Sequence, residues 1–480
     1  MPCDMYCGMK HVRLSELQPI DPEAWARFRN RAAGIRNLST DFYYWGRSTI
    51  ADETWSYLAR LCSNTGPLFP SLQKVVGWLR TISCEDLRLL ASPSLRLLDI
   101  YDDSNIDLQG DSWPLAVQHM FTIAPGLTNL RLYTCPSGDL FARIKAPSAF
   151  HQLRTLEIDV EEVPAPKTWY PTVGALQVLS TLPALEHLVL QLRVDDHNLT
   201  FVGFHSLVTL EITDCGILTS GDATWFLARC ASPRLQRLTL CTNPCRDFEY
   251  TSMYPLCFTI ARSAPQLRCL DLDFLDFLDA QPPITLLTVV HPLFALRHLT
   301  TLNFRIEHGH AQISDEVLEA FAEAWPSLVS LTICLHDLPE NTTGAARLYP
   351  TTTTLRALRA ISRRCPQLQV LHIPHLHVLP EDCNDTGDYE SSSGHRLREL
   401  AVCRVIIVDM RACALALRRI FPYLLTADSR ASFLRRHDGA GLYPMSQEHR
   451  EEYRYFKIAW LDMLDALQEY QTVPPAVGSQ

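Results

Sequence analysis

The sequence predicts an α/β solenoid, a stack of short parallel strands each preceded by a helix, and three observations predict it. The first is a Pro-x-Leu-x-x-Leu-x-Leu pattern that returns along almost the whole chain, clearest in Ala264-Pro-Gln-Leu-Arg-Cys-Leu-Asp-Leu-Asp-Phe274. Leu267, Leu270 and Leu272 point to one core, while Cys269, Asp271 and Asp273 alternate with them outward, as a strand requires. The second is the spacing, with leading leucines at Leu72, Leu95, Leu127, Leu153, Leu185, Leu207, Leu235, Leu267, Leu299, Leu328, Leu368 and Leu397. Successive intervals of 22 to 40 residues leave room for a helix between strands. The third is proline two residues before the leading leucine in eight of the twelve repeats, at Pro70, Pro93, Pro125, Pro183, Pro233, Pro265, Pro326 and Pro366. There it ends the helix and sets an extended approach to the strand.

In chain order, Asp21-Pro-Glu reads as an N-cap, a proline at the first helical position and a first-turn acid, opening a helix with Trp25, Phe28 and Ala32 on one face. Ile35 to Thr40 is a degenerate first repeat, and Asp52 to Cys62 is a second helix. Asp222 to Cys230, Asp315 to Trp325 and Leu355 to Cys365 read as amphipathic helices placed just before strands. His151, His205, Arg297 and His395 take the proline position in the other four repeats and are expected as surface turn residues. Pro339 to Thr354 and Glu381 to His395 are expected to be mobile loops. A helix through Met410, Leu417, Ile420, Phe421 and Leu424 precedes a polar connection ending near Pro444, and a last helix bearing Tyr453, Phe456, Trp460, Met463, Leu464 and Leu467 closes the stack. The expected organisation is one long domain: residues 1–66 as an N-terminal helical cap with the degenerate repeat, 67–408 as about 12 repeats, and 409–480 as a C-terminal helical cap and tail.

The 480 residues carry 43 Lys+Arg against 53 Asp+Glu, a formal charge of -10 without long like-charge blocks, which excludes a nucleic-acid footprint. No basic start leads into an apolar run and no stretch is long enough to span a bilayer, so neither export nor membrane is expected and the location is cytoplasmic or nuclear. The 16 cysteines then read as reduced core thiols. Cys3/Cys7 and Cys241/Cys245 lack a second pair, so no metal site is expected. His372-Ile-Pro-His375-Leu-His377 reads as a cluster running from strand into loop. Nucleophile elbows, P-loops and zincin motifs are absent, and the chain is expected to be a non-enzyme without cofactor.

The Leu-x-x-Leu-x-Leu strands preceded by Cys-Pro or Ala-Pro, as in Arg364-Cys-Pro-Gln-Leu-Gln-Val-Leu-His-Ile373, resemble the cysteine-containing leucine-rich repeats of F-box proteins. With Ile20 to Phe28 before the repeats and a helical tail after them, the layout is similar to fungal F-box-like leucine-rich-repeat proteins. That resemblance implies a horseshoe with strands on the concave face and helices on the convex face, and a substrate receptor of SCF-type ubiquitin ligases. The F-box itself is missing, so a ligase adaptor is expected only if one lies upstream. The other reading is a stand-alone scaffold or inhibitor-like binder.

Stacked strands place their between-leucine residues in columns on the concave face, where a monomeric solenoid of this kind binds a protein substrate or partner. Those columns nominate Trp78, Asp99, Tyr101, Arg131, Tyr133, Glu157, Asp159, Glu211, Asp271, Asp273 and Arg305, an aromatic cluster beside a spread of acids. Such a surface suits a partner with apolar anchors and basic side chains.

Overall fold

In the computed structural model the described residues are 21–40, 57–58, 60–62, 66–78, 87–101, 112–133, 141–142, 150–159, 171–192, 201–213, 220–242, 250–274, 286–307, 313–336, 353–384, 395–439 and 447–472. They fall into two compact units, residues 1–215 with 229–232 and residues 216–228 with 233–480.

The first unit opens with the Pro22–Ala33 helix, whose N-cap Asp21 accepts from the Glu23 and Ala24 amides at 3.2 Å each. Of its expected apolar face only Ala32 is buried; Trp25 stacks on Phe28 at 5.5 Å and Phe28 remains 43% exposed. The two rings shelter each other rather than joining a core. Strands follow at Asn37–Thr40 (β1), Lys74–Trp78 (β2), Leu97–Tyr101 (β3), Asn129–Tyr133 (β4), Thr155–Asp159 (β5), His187–Gln191 (β6) and Thr209–Thr213 (β7). Each pairs in parallel with its sequence neighbour. The degenerate repeat supplies β1, with Leu38 opposite Val75.

The second unit holds β8 (Arg237–Thr242), β9 (Cys269–Phe274), β10 (Thr301–Glu307), β11 (Ser330–His336), β12 (Val370–Val378) and β13 (Glu399–Ile407), again parallel and in chain order. Its helices include Ser220–Leu227, Tyr250–Ser263, Asp315–Ala324 and Leu355–Arg364, and the last two pack on each other. Asp315 ties that pair together: its carboxylate accepts from the Thr354 amide at 2.7 Å and hydroxyl at 2.6 Å, while the Thr354 hydroxyl oxygen accepts from the Arg356 amide. All twelve leading leucines are at most 2% exposed, each burial contributing about 1.5–3 kcal/mol.

The proline before each leucine does more than stop a helix. Leu267 donates its amide to the Ala264 carbonyl at 3.1 Å, and Leu95, Leu328 and Leu368 do the same three residues back, to Ser92, Trp325 and Cys365. Proline is therefore the second residue of a hydrogen-bonded turn, the place where its fixed φ fits and its missing N–H costs nothing. A second set of bonds links repeats: the Arg96 carbonyl accepts from the Thr128 and Asn129 amides, and the Gln369 carbonyl from those of Arg398 and Glu399.

Several expectations are corrected. His395 is not a surface turn residue: it is buried, with Nε2 3.0 Å from the Cys365 carbonyl, Nδ1 accepting from the Leu397 amide and Phe421 against the ring. Desolvation lowers its pKa. The segment expected as a loop from Glu381 begins within the Pro380–Asn384 helix, and Thr353 is buried with its carbonyl accepting from the His377 amide of β12 while Thr354 bonds to Asp315; apart from His395, the rest of both stretches lies outside the described residues. His375 and His377 stand in β12 rather than in a loop. The polar connection contains the Thr426–Gly439 helix, which packs against β13 with Ser429, Ser432 and Phe433 buried and the Ser429 hydroxyl bonded to the Leu425 carbonyl.

The Met410–Ile420 and Gln447–Thr472 helices complete the C-terminal packing, with Trp460, Met463, Leu464 and Leu467 fully buried; the first of them stops before the expected Phe421 and Leu424, which are buried in a turn that Pro422 sets instead. The ten described cysteines are free thiols, and burial pushes Cys230 and Cys257 up to about 12. Among the described residues no helix is long and apolar enough to cross a membrane.

Candidate functional site

Parallel register turns the predicted columns into physical rows. In the first unit Val76, Asp99, Arg131, Glu157, Val189 and Glu211 lie opposite one another on successive strands. In the second, Thr239, Asp271, Asn303, Thr332, His372 and Ala401 do the same. The adjacent column aligns Trp78, Tyr101, Tyr133 and Asp159 on β2 to β5, and Cys241, Asp273, Arg305 and Cys334 on β8 to β11. Tyr133 is half-buried; for Trp78, Tyr101 and Asp159 the backbone position is described and the side chain lies outside the described set.

The acids are not the open negative surface the columns suggested. Arg131 reaches Glu157 at 2.9 Å and Asp99 at 3.9 Å, so three nominated residues form one charged row across β3, β4 and β5. Asp99 is 5% exposed. Its burial raises its pKa, against the opposing pull of Arg131, with Glu157 pushing the same way as burial. In the second unit Arg305 donates to Asp273 at 2.6 Å and Asn303 donates to Asp271 at 3.2 Å. Burial likewise raises the Asp273 pKa, opposed by Arg305. Glu211 ends the first unit's row beside Val189, half-buried. The physical reason for the correction is spacing: strands in such a sheet lie about 4.8 Å apart, so residues of opposite charge at one column position meet whatever their distance in sequence.

A second polar row was not legible. His372 is 4% exposed, with Nε2 2.5 Å from Glu399 Oε1 and Nδ1 3.4 Å from Thr332 Oγ1. The signal is hidden because Glu399 is the register partner of Val370, two residues from the position opposite His372. This hydroxyl, imidazole and carboxylate sequence lies with both Thr332 and His372 buried, where it links three strands. Among the described residues no group of three or more His, Cys, Asp or Glu side chains could hold a metal ion.

In-order parallel strands, helices between them and buried leading leucines define a leucine-rich-repeat type of α/β solenoid. No protein-family model matches the chain, and no curated relative matches it. Among solved structures it is similar to a chain of the crystal structure of the Rad7 and Elc1 complex in yeast, at 15% identity over 84% of this chain and 87% of that one, with a TM-score of 0.40. A Bacteroides fragilis protein solved by a structural genomics consortium is similar at 13% identity over 52% of this chain and 66% of that one, with a TM-score of 0.31. Likenesses at this level carry no functional argument.

Proposed function

We propose that the chain is a non-catalytic protein-recognition module that captures its partner on the outward face of its strands. The observation that carries this reading is the row Asp99, Arg131 and Glu157, in which side chains from three strands are already held in place by one another. Ordering a rotamer-rich side chain on binding costs about 0.5–1.5 kcal/mol, and here that ordering precedes the encounter. Arg131 is 38% exposed, so a partner meets a positioned guanidinium flanked by carboxylates. Register-matched polar pairs at Asp271 and Asn303 and at Asp273 and Arg305 extend the same design in the second unit.

The resemblance to F-box-like repeat proteins makes the partner a substrate selected for ubiquitination in the cytoplasm or nucleus, with the ligase adaptor docking elsewhere. A stand-alone scaffold or inhibitor-like binder is the competing reading. Affinity capture with the tagged chain separates them: recovery of a ligase adaptor together with substrates supports the first, and partners recovered without any adaptor support the second. The Asp99→Asn/Arg131→Met/Glu157→Gln triple variant removes the charged row without leaving any member of it ionised alone. Capture unchanged from wild type by this variant and by Asp271→Asn would overturn the strand-face assignment.

A further inference from the structure

The second unit contains a cleft of about 830 Å³ that the strand-face reading does not use. Arg396, Arg398 and Arg418 line it together with Gln369, Tyr423 and Leu425. It forms where the approaches to β12 and β13 meet the turn at residues 421–425, whose Leu425 amide donates to the Arg398 carbonyl at 2.8 Å. Arg418 comes from the Met410–Ile420 helix and is held by donating to the Tyr470 carbonyl. Arg396 donates to the Gln367 side-chain oxygen at 2.9 Å.

What marks this place is the convergence of three arginines on one cleft whose lining holds no carboxylate. Among the described residues Arg131, Arg305, Arg356, Arg364 and Arg430 each face a carboxylate. Around the cleft Arg396 and Arg418 have neutral acceptors, the Arg398 guanidinium has no hydrogen bond or ion pair within the described residues, and no carboxylate is in the lining. Three guanidiniums around one cleft, in a chain of formal charge -10, present forked donors without an internal anion. Guanidinium forks match the oxygens of a phosphate group. Beside them Tyr423 is 59% exposed and Leu425 45% exposed, an uncharged wall bordering the arginines.

We propose that this cleft binds a phosphate monoester carrying an apolar or aromatic group, the phosphate on Arg396, Arg398 and Arg418 and the ester group on Tyr423 and Leu425. The dimensions suit a single such group, since small-molecule sites occupy about 300–1,000 Å³. The site is independent of the strand face, so failure of either assignment leaves the other standing.

The test is calorimetric titration of the full chain with phenyl phosphate, inorganic phosphate, and a short serine peptide with leucine on either side, phosphorylated and not. Phenyl phosphate is expected to bind saturably at one site and more tightly than inorganic phosphate, and the unphosphorylated peptide not to bind. Arg398→Ala, which removes no internal hydrogen bond or ion pair of that side chain, is expected to weaken phenyl phosphate about tenfold or more, because it takes away a charged donor to the phosphate. Tyr423→Ala is expected to bring phenyl phosphate down toward inorganic phosphate while leaving inorganic phosphate unchanged. Tighter binding of the phosphopeptide than of phenyl phosphate assigns the group to a modified protein side chain, and weaker binding assigns it to a free ester. Absence of saturable binding by every phosphorylated probe, or equal binding by wild type and Arg398→Ala, would overturn the proposal.

Discussion

Leu425 donates its amide to the carbonyl of Arg398 at 2.8 Å, the same bond by which Arg398 itself is joined to Gln369 and Gln369 to Val329. Leu424 likewise donates to Phe421 at 3.2 Å, closing the Pro-x-Leu turn that precedes each strand. Phe421-Pro-Tyr-Leu-Leu425 is thus the opening of a further repeat, after which the chain turns into the Thr426–Gly439 helix instead of a strand. The substitution covers the edge of β13, and Ser429 completes it by accepting from the Leu400 amide at 3.1 Å while donating to the Leu425 carbonyl.

Ser429→Ala should therefore cost more than a lost hydroxyl on a helix. It leaves the Leu400 amide buried without an acceptor, and the expected loss is about 1–3 kcal/mol. Urea unfolding of the variant checks this; a midpoint equal to wild type would mean that the helix does not seal the edge.

The row on β3 to β5 predicts a rescue. Arg131→Met strands Asp99 and Glu157 as neighbouring carboxylates, one of them buried, and should destabilise by about 1–2 kcal/mol, less than for a fully buried pair because the Arg131 side chain is 38% exposed. Adding Asp99→Asn removes the buried one of the two stranded charges and should recover part of that loss. Strict additivity of the two substitutions in a double-mutant cycle would show that the row is not coupled.

Acid titration examines the same carboxylate by another route. The folded-state pKa of Asp99 is raised above its unfolded value, chiefly by burial, so its protonated form favours folding. Its contribution is fully present below the unfolded pKa and is lost as pH rises through the folded pKa. Relative to Asp99→Asn, wild type should therefore gain stability as pH falls from 7 toward 4. Parallel stability profiles for the two proteins over that range would contradict the raised pKa.

Gly203 offers a packing prediction in the first unit. A Cβ there would lie 2.4 Å from the Ser180 carbonyl oxygen, and the same segment pairs with Cys230 through a single bridge. Phe204 follows with a φ of 60°, an unusual backbone for a buried aromatic residue, held by its amide bond to Ser180 at 3.0 Å. Gly203→Ala should cost about 1–3 kcal/mol as an overpacking substitution, read as a lowered melting temperature. Full retention of wild-type stability would require the Ser180 backbone to yield freely.

Much of the fold was legible because it rests on period and turn chemistry. The leading leucines, the degenerate repeat at Leu38 and the helices before Leu328 and Leu368 follow from apolar spacing, and the prolines mark turns that any neighbouring sequence must respect. The Phe421 turn escaped because Phe421 and Leu424 continue the helical spacing of Leu417 and Ile420 and no Leu-x-x-Leu-x-Leu follows them, and Thr426 to Ser429 reads as polar linker until its burial is seen. His395 escaped because a histidine at a turn is ordinarily exposed, whereas here both ring nitrogens have partners beneath Phe421.

The repeat, the core side of each strand and the membership of each column can be read from the residues alone, since local periodicity dictates which side chains point inward. The partners of the outward residues are set by contacts between repeats. The Asp99, Arg131 and Glu157 row, the His372 to Glu399 bond and the arginine cleft each join residues from different repeats or helices. Their pairing depends on strand register and on rotamers chosen across neighbours, which a period of three leucines constrains only as far as the column.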